Sequence, residues 1–419
     1  MLNDVDRTQS GGPSVAIFRS ERYAAMLLLG AAVLGLILAN SAIGPALLTL
    51  KTDHIELPWL GLDISLGHFV SDGLLAIFFF IVAVELKREL AIGELNSLSK
   101  AALPAIAAFG GVLVPAGIYL LITAGSGWEN GWPVPTATDI AFALGLLAIF
   151  GKGIPTRVRV FLMALAVLDD LVAILIIAFF FTSDVQLSSL GYAAVTLLLF
   201  SGFSRLLRPR SSYILSRKPQ WPLMLVMWVL AVLTWYFVFQ SGVHATIAGV
   251  LLGLVMSRRP GGRAVHAIEP YSNGLILPLF AFSAALVAIP AVSVSQLSPA
   301  FWGILVALPV GKLLGITLAG WLSGLVASKF GGVSLKIGDL LVVASLGGVG
   351  FTVSLLMNEL AFASDHEVVD EGTIAVLLGS AIAMVFSAAF VSWRAAQYRA
   401  GKIAAHPHDT AEPESAPLF

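Results

Sequence analysis

Apolar runs of roughly 20 residues, the length that crosses a bilayer as one helix, follow one another along almost the whole chain with short polar breaks between them. Read run by run, the pattern predicts twelve spans, beginning near Tyr23, Leu66, Ala101, Trp132, Val158, Leu187, Pro222, Val243, Ser272, Pro299, Ile337 and Glu371. The expected architecture is an all-α polytopic membrane protein. A single transmembrane domain covers residues 23–396, a cytoplasmic segment covers 1–22, and a Pro-rich, disordered cytoplasmic tail covers 397–419. Two spans read as broken helices. In span four, Pro133, Pro135 and the run Thr136, Ala137, Thr138 interrupt the apolar pattern; in span eleven, Gly347, Gly348 and Gly350 do so. Irregular backbone at that depth survives only where it is buried in protein or lines a watery cavity. Paired interruptions in two halves of a chain point to a secondary transporter with an ion site between them. Spans four and eleven are seven apart and so run in opposite directions, as an inverted repeat of spans three to five against ten to twelve requires.

Composition narrows the class. With 58% hydrophobic and 12% charged residues among 419, and a mean hydropathy of +0.91, the chain is too apolar for a soluble protein of its size. The basic residues orient it. If the N-terminus is cytoplasmic, all but two of the 24 lysines and arginines fall in cytoplasmic segments, as the positive-inside rule demands. A missed or invented span in mid-chain would destroy that asymmetry, so both termini are expected in the cytoplasm. The exceptions are Lys51, outside, and Lys312, within a span. No basic patch suggests nucleic acid, and the absence of cysteine excludes disulfides, thiol nucleophiles and Cys-ligated metals. The N-terminal "MLNDVDRTQSGGPS" lacks the form of a cleaved signal peptide.

Charges inside the spans carry the chemistry. Asp169 and Asp170 sit in "ALAVLDDLVAILIIAFFF", near the middle of span five. Central acidic residues cost about 2.5 to 3.5 kcal/mol each on insertion scales, so the pair marks a functional site. Neighbours on a helix point about 100° apart, which lets one carboxylate meet a partner helix while the other faces a cavity. Lys312, in "ILVALPVGKLLGITLAG", is the deep cation that can neutralise one of them. A purely structural ion pair is the bland alternative, but such pairs rarely stabilise relative to apolar replacements. Asp139, in "WPVPTATDIAFALG", is either a simple N-cap after Thr138 or a counter-charge to a half-helix end.

Other titratable residues are more ambiguous. Glu85 and Glu89 in "VELKREL" share one helix face at the cytoplasmic end of span two, as a solvated helix end or as a cation-attracting, pH-sensing funnel. His244, in "SGVHATIAG", and His266 can titrate near neutrality or simply be packed or solvated. Asp72 is equally open.

Seven segments in order, "FFFIVAVELKREL", "ATDIAFALG", "FLMALAVLDDLVAI", "GVHATIAG", "ILPLFAF", "GKLLGI" and "GVGFTVS", resemble the NhaA-type sodium/proton antiporters of bacteria and together cover most of the chain from about Ser71 to Leu360. The resemblance implies twelve helices, two of them broken and crossing near the ion site. It matches Asp169 and Asp170 to the family's essential aspartate pair, Asp139 and Thr138 to its broken-helix aspartate and threonine, and Lys312 to its membrane lysine. Glu85, Glu89 and His266 match positions associated with pH response. It further implies a homodimer joined through a β-hairpin between spans one and two, where "TLKTDHIEL" and "LGLDISL" alternate as strands do. Two departures stand out. "FAFSAAL" replaces the family's "FAFANAG", and Val265 and Glu269 stand where the family's pattern has a glutamate and a histidine.

The expectation is therefore a non-enzymatic secondary transporter of a bacterial inner membrane, with no cofactor. It would exchange Na⁺ or Li⁺ for H⁺, with Asp170 the principal ligand and Asp169, Asp139, Thr138 or exposed carbonyls adding oxygen. Burial disfavours a charged carboxylate while a nearby lysine favours it, so protons and metal ions can compete for one site. The resemblance favours two protons per sodium ion. An intramembrane aspartic protease is set aside because its Gly-x-Gly-Asp motif is absent. A sodium-coupled symporter would need more deep polar groups to recognise an organic solute.

Overall fold

A computed structural model describes residues 21–401 except 58–61, 94, 96–97, 183–184, 208–220, 290–295 and 330–334. The expectations for the N-terminal segment and the tail therefore fall almost wholly outside the described residues. The structure is mostly helical, at 83%.

Helix α1 (Glu21–Ala39) leads through α2 (Gly44–Thr52) into a two-stranded antiparallel hairpin, β1 (His54–Leu57) and β2 (Leu62–Ser65). Ile55 pairs with Ile64 and Glu56 with Asp63, so the alternation legible in the sequence produces the pairing. The chain then runs through α3 (Leu66–Ile92) with a π-helical stretch at Phe69–Leu74, α4 (Leu98–Thr123), two 3-10 turns at Glu129–Gly131 and Val134–Thr136, and α5 (Ile140–Phe150). Next come α6 (Thr156–Phe180), α7 (Leu187–Leu206), α8 (Trp221–Gln240), α9 (Thr246–Val255), α10 (Arg258–Tyr271) and α11 (Leu277–Ala284). The last group is α12 (Pro299–Val306), a π-helical turn at Ala307–Gly311, α13 (Lys312–Lys329), α14 (Ile337–Gly347), α15 (Phe351–Ala361) and α16 (His366–Arg399).

Among the described residues nine helices are long and apolar enough to cross a membrane, and α14 with α15, bent by 50° at their junction, makes a tenth span if the pair is counted as one. Two of the twelve expected positions carry shorter elements. Span eight is entered through a turn at Gly242, whose φ of 79° suits glycine, and its helix is only α9, Thr246–Val255. Span nine, expected from Ser272, consists of the π-helical Ser272–Ile276 and the short α11, and it is continuous with α10 before it.

Local sequence explains the helix ends that matter for the site. Asp139 caps α5, its carboxylate accepting from the Ala141 and Phe142 amides. Pro155 immediately precedes α6, and Asp365 caps α16. Gly348 to Gly350 separate α14 from α15. Small residues let backbones approach within membranes, and α4 meets α13 in this way. A Cβ at Gly315 would collide with the Gly110 carbonyl, and one at Gly311 would lie 2.6 Å from the Pro115 Cα. Lys312 is mounted between these two glycines.

Candidate functional site

Two interrupted segments meet and tie each other down. The Thr138 hydroxyl donates to the Gly347 carbonyl at 2.8 Å, and the Asp139 amide donates to the Val349 carbonyl at 2.6 Å. In return, the Thr352 amide and hydroxyl donate to Asp139 Oδ2 at 3.2 and 2.8 Å. The Ser354 hydroxyl reaches the Val134 carbonyl at 2.7 Å. Backbone groups that a continuous helix would satisfy internally are thus satisfied across the junction, as burial requires.

Lys312 closes the arrangement. Fully buried at the start of α13, it donates to Asp169 Oδ2 at 2.5 Å and to the Thr138 hydroxyl at 3.0 Å. Asp169 and Asp170 are both buried on α6. Their hydrogen bonding differs. Among the described residues Asp169 Oδ1 has no hydrogen-bond partner and the Asp170 carboxylate makes no hydrogen bond, although it lies within electrostatic reach of Asp169, Asp139, Glu85 and Lys312. Hard cations take oxygen ligands, and these are the uncommitted carboxylate oxygens. Asp139 is already committed to its cap and to Thr352. Consistently, no group of three or more His, Asp or Glu side chains gathers as a metal nest among the described residues. Hydroxyl and carbonyl oxygens, those of Thr138 and Gly347, lie beside these carboxylates.

The structure brings Asp139, Thr138, Asp169, Asp170, Lys312 and the Gly347 carbonyl together, while Gly348 and Gly350 form the bend beside them. The other expected residues lie elsewhere. Glu85 is exposed and Glu89 half-buried on α3, with Glu85 coupled electrostatically to Glu269. His266 is exposed on α10. His244 pairs with Asp72 at 3.2 Å, its other ring nitrogen meeting Thr246. Thr352 and the Val349 carbonyl escaped the sequence reading of site residues. The signal for Thr352 was its place directly after the glycine-rich interruption, where a hydroxyl can reach a facing carboxylate.

The fold and site define a multi-pass membrane protein with a buried, charge-bearing junction between two irregular segments. Residues 15–391 match the sequence model of the Na+/H+ antiporter 1 family, and the chain belongs to that family. It is 56% identical over 395 residues to a protein named Na(+)/H(+) antiporter NhaA 2 from Clavibacter michiganensis, covering 94% of this chain and 95% of that one. A Tropheryma whipplei Na(+)/H(+) antiporter NhaA is 48% identical, covering 89% and 94%. A Streptomyces coelicolor Na(+)/H(+) antiporter NhaA 3 is 42% identical, covering 93% and 82%. These relatives are named as transporters, not as enzymes.

Proposed function

We propose that this chain is a secondary active transporter that exchanges Na⁺ or Li⁺ for H⁺ across a bacterial inner membrane, serving sodium and pH homeostasis. The observation that carries the reading is the buried Lys312–Asp169 pair with Asp170 beside it, free of hydrogen bonds among the described residues. In the ion-free state Lys312 occupies one oxygen of Asp169 and Asp170 holds a proton. An entering Na⁺ takes Asp170 and Asp169 as carboxylate ligands, with Thr138 and exposed carbonyls adding oxygen. Asp170 then loses its proton, and Lys312, deprived of its partner, gives up a second. Two protons per sodium ion make the exchange electrogenic.

The surrounding architecture follows the same reading. Twelve spans include two broken ones and an inverted repeat; both termini lie in the cytoplasm. Two copies pair through the β1–β2 hairpin, bilayer lipid surrounds the helices, and Glu85, Glu89, His266 and His244 set the pH response. The test uses inside-out vesicles energised to an acidic lumen. Added Na⁺ should collapse the pH gradient in the native protein and not in Asp170→Asn. Collapse that persists in that variant, or that requires an organic solute, overturns the reading. Electrogenicity is checked by measuring current with and without Lys312→Gln, and unchanged current removes Lys312 from the proton route.

A further inference from the structure

Lys51, the cation that the positive-inside pattern leaves outside, takes no part in the ion site. It stands in the last turn of α2, where a positive charge complements the carbonyl end of the helix dipole. The β1 strand begins shortly after it at His54, and the Leu66 amide that opens α3 donates to the Asp53 carbonyl at 3.0 Å. This turn is therefore fixed to both the hairpin and α3. Gly67 makes room for the lysine stem, since a Cβ there would lie 3.0 Å from Lys51 Cγ. The ammonium is thereby led across to Glu359 Oε1 on α15, 3.9 Å away.

Glu359 and Asp339 stand near opposite ends of the interrupted span formed by α14 and α15. Two turns before Glu359 on the same face of α15, at 3.6 residues per turn, is Thr352, which holds Asp139. Helix α15 packs on α16, α11 and the 3-10 turn at Val134–Thr136. Lys51 belongs instead to α2, and His68, Asp72 and His244, also within electrostatic reach of Glu359, belong to α3 and the turn before α9. Asp370 on α16 is a second carboxylate within reach of Lys51. Charge thus bridges two groups of elements at this end of the bundle. The Lys51 and Glu359 side chains stay 22% and 25% exposed. Solvated ion pairs contribute little to stability, which makes a poor glue for a fold and a suitable contact for one that opens and closes.

We propose that Lys51 and Glu359 form an outer latch, closed while the hairpin end of α2 and the end of α15 stand together and broken when the two part to expose the ion site to the outer side. The latch favours the arrangement closed on that side. It rests on the alternating exchange proposed above, and its test separates the two.

The chain has no cysteine, so labels can be placed at will. Thr52→Cys with Ala363→Cys puts spin labels on exposed residues beside the latch and leaves the pair intact. Pulsed electron resonance on the full-length protein in nanodiscs should give two distances. Glu359→Gln should raise the ratio of the long to the short population about threefold, the worth of one solvated ion pair, and Lys51→Glu combined with Glu359→Lys should restore it. Lys51→Gln gives the same readout if Glu359→Gln fails to fold. In a second protein, Lys51→Cys and Glu359→Cys bridged by a short cleavable thiol reagent should stop Na⁺/H⁺ exchange, and reduction should return it. A single distance, an unchanged ratio in the neutral variants, or full exchange in the bridged protein overturns the latch. Two distances that respond to Glu359→Gln in a protein without Na⁺/H⁺ exchange support the latch and overturn the exchange reading instead.

Discussion

Two buried carboxylate clusters in this molecule invite comparison, because both contain an aspartate with no exposed surface to speak of and they are built to opposite ends. At the junction of α6, α14 and α16, Asp339 is saturated. Arg394 Nε donates to it at 2.7 Å, the Tyr398 hydroxyl lies 2.9 Å from both its oxygens, and Arg157 stands 3.6 Å away. Arg394 also lies over the Tyr398 ring at 5.0 Å. At the crossing of the interrupted segments, by contrast, Asp169 keeps one oxygen unpartnered and Asp170 makes no hydrogen bond among the described residues. A buried charge left short of partners is costly, so it persists only where something else completes it. Saturation suits a clamp, and shortage is what the proposed ion site requires.

This contrast can be broken by experiment. The largest expected effect is on transport: Asp170→Asn should abolish Na⁺-dependent collapse of a pH gradient while leaving the thermal unfolding midpoint in detergent nearly unchanged, since no hydrogen bond is lost. Asp339→Ala should do the reverse. Stranding two guanidiniums should cost about 3 to 5 kcal/mol of stability, seen as a lower denaturation midpoint, with Na⁺ half-saturation preserved in the protein that remains folded. If Asp339→Ala instead raised the half-saturation with stability intact, the clamp would belong to the site. Between these lies Thr352→Val, which removes a charge-assisted hydrogen bond from Asp139 and should raise the Na⁺ needed for half-maximal exchange about tenfold, or about 1.4 kcal/mol. The smallest effect is assigned to His244→Gln. His244 is one of four residues in the proposed pH response, so with its Asp72 pairing lost the pH profile of exchange should shift by less than about one unit, under about 1.4 kcal/mol, with the maximal rate unchanged.

Much of the site was legible in the sequence for a simple physical reason. A charged residue in an apolar run advertises itself, which is how Asp139, Asp169, Asp170 and Lys312 emerged, and prolines and glycines advertised the interruptions. Their mutual contacts were less visible. Thr352 and the Val349 carbonyl act through positions on a second segment, and a hydroxyl or a backbone oxygen carries no signature in an apolar pattern. The clamp was missed for a related reason. Arg157 and Arg394 read as ordinary cytoplasmic charges and Asp339 drew no reading, so nothing in the linear pattern brought the three together. At spans eight and nine the apolar pattern did not report that the helices are short, because continuous hydrophobicity carries no mark of where a helix begins after a turn such as that at Gly242 or of the π-helical stretch at Ser272–Ile276.

The glycine seam between α4 and α13 has a genetic consequence. Gly110, Gly311 and Gly315 touch no ion and carry no charge, yet a single added methyl on any of them would meet the facing backbone or side chain and displace the helix that carries Lys312. Substitutions there should therefore be inherited as transport defects at normal protein abundance. A screen for growth under sodium stress would score these silent-looking glycines alongside the aspartates.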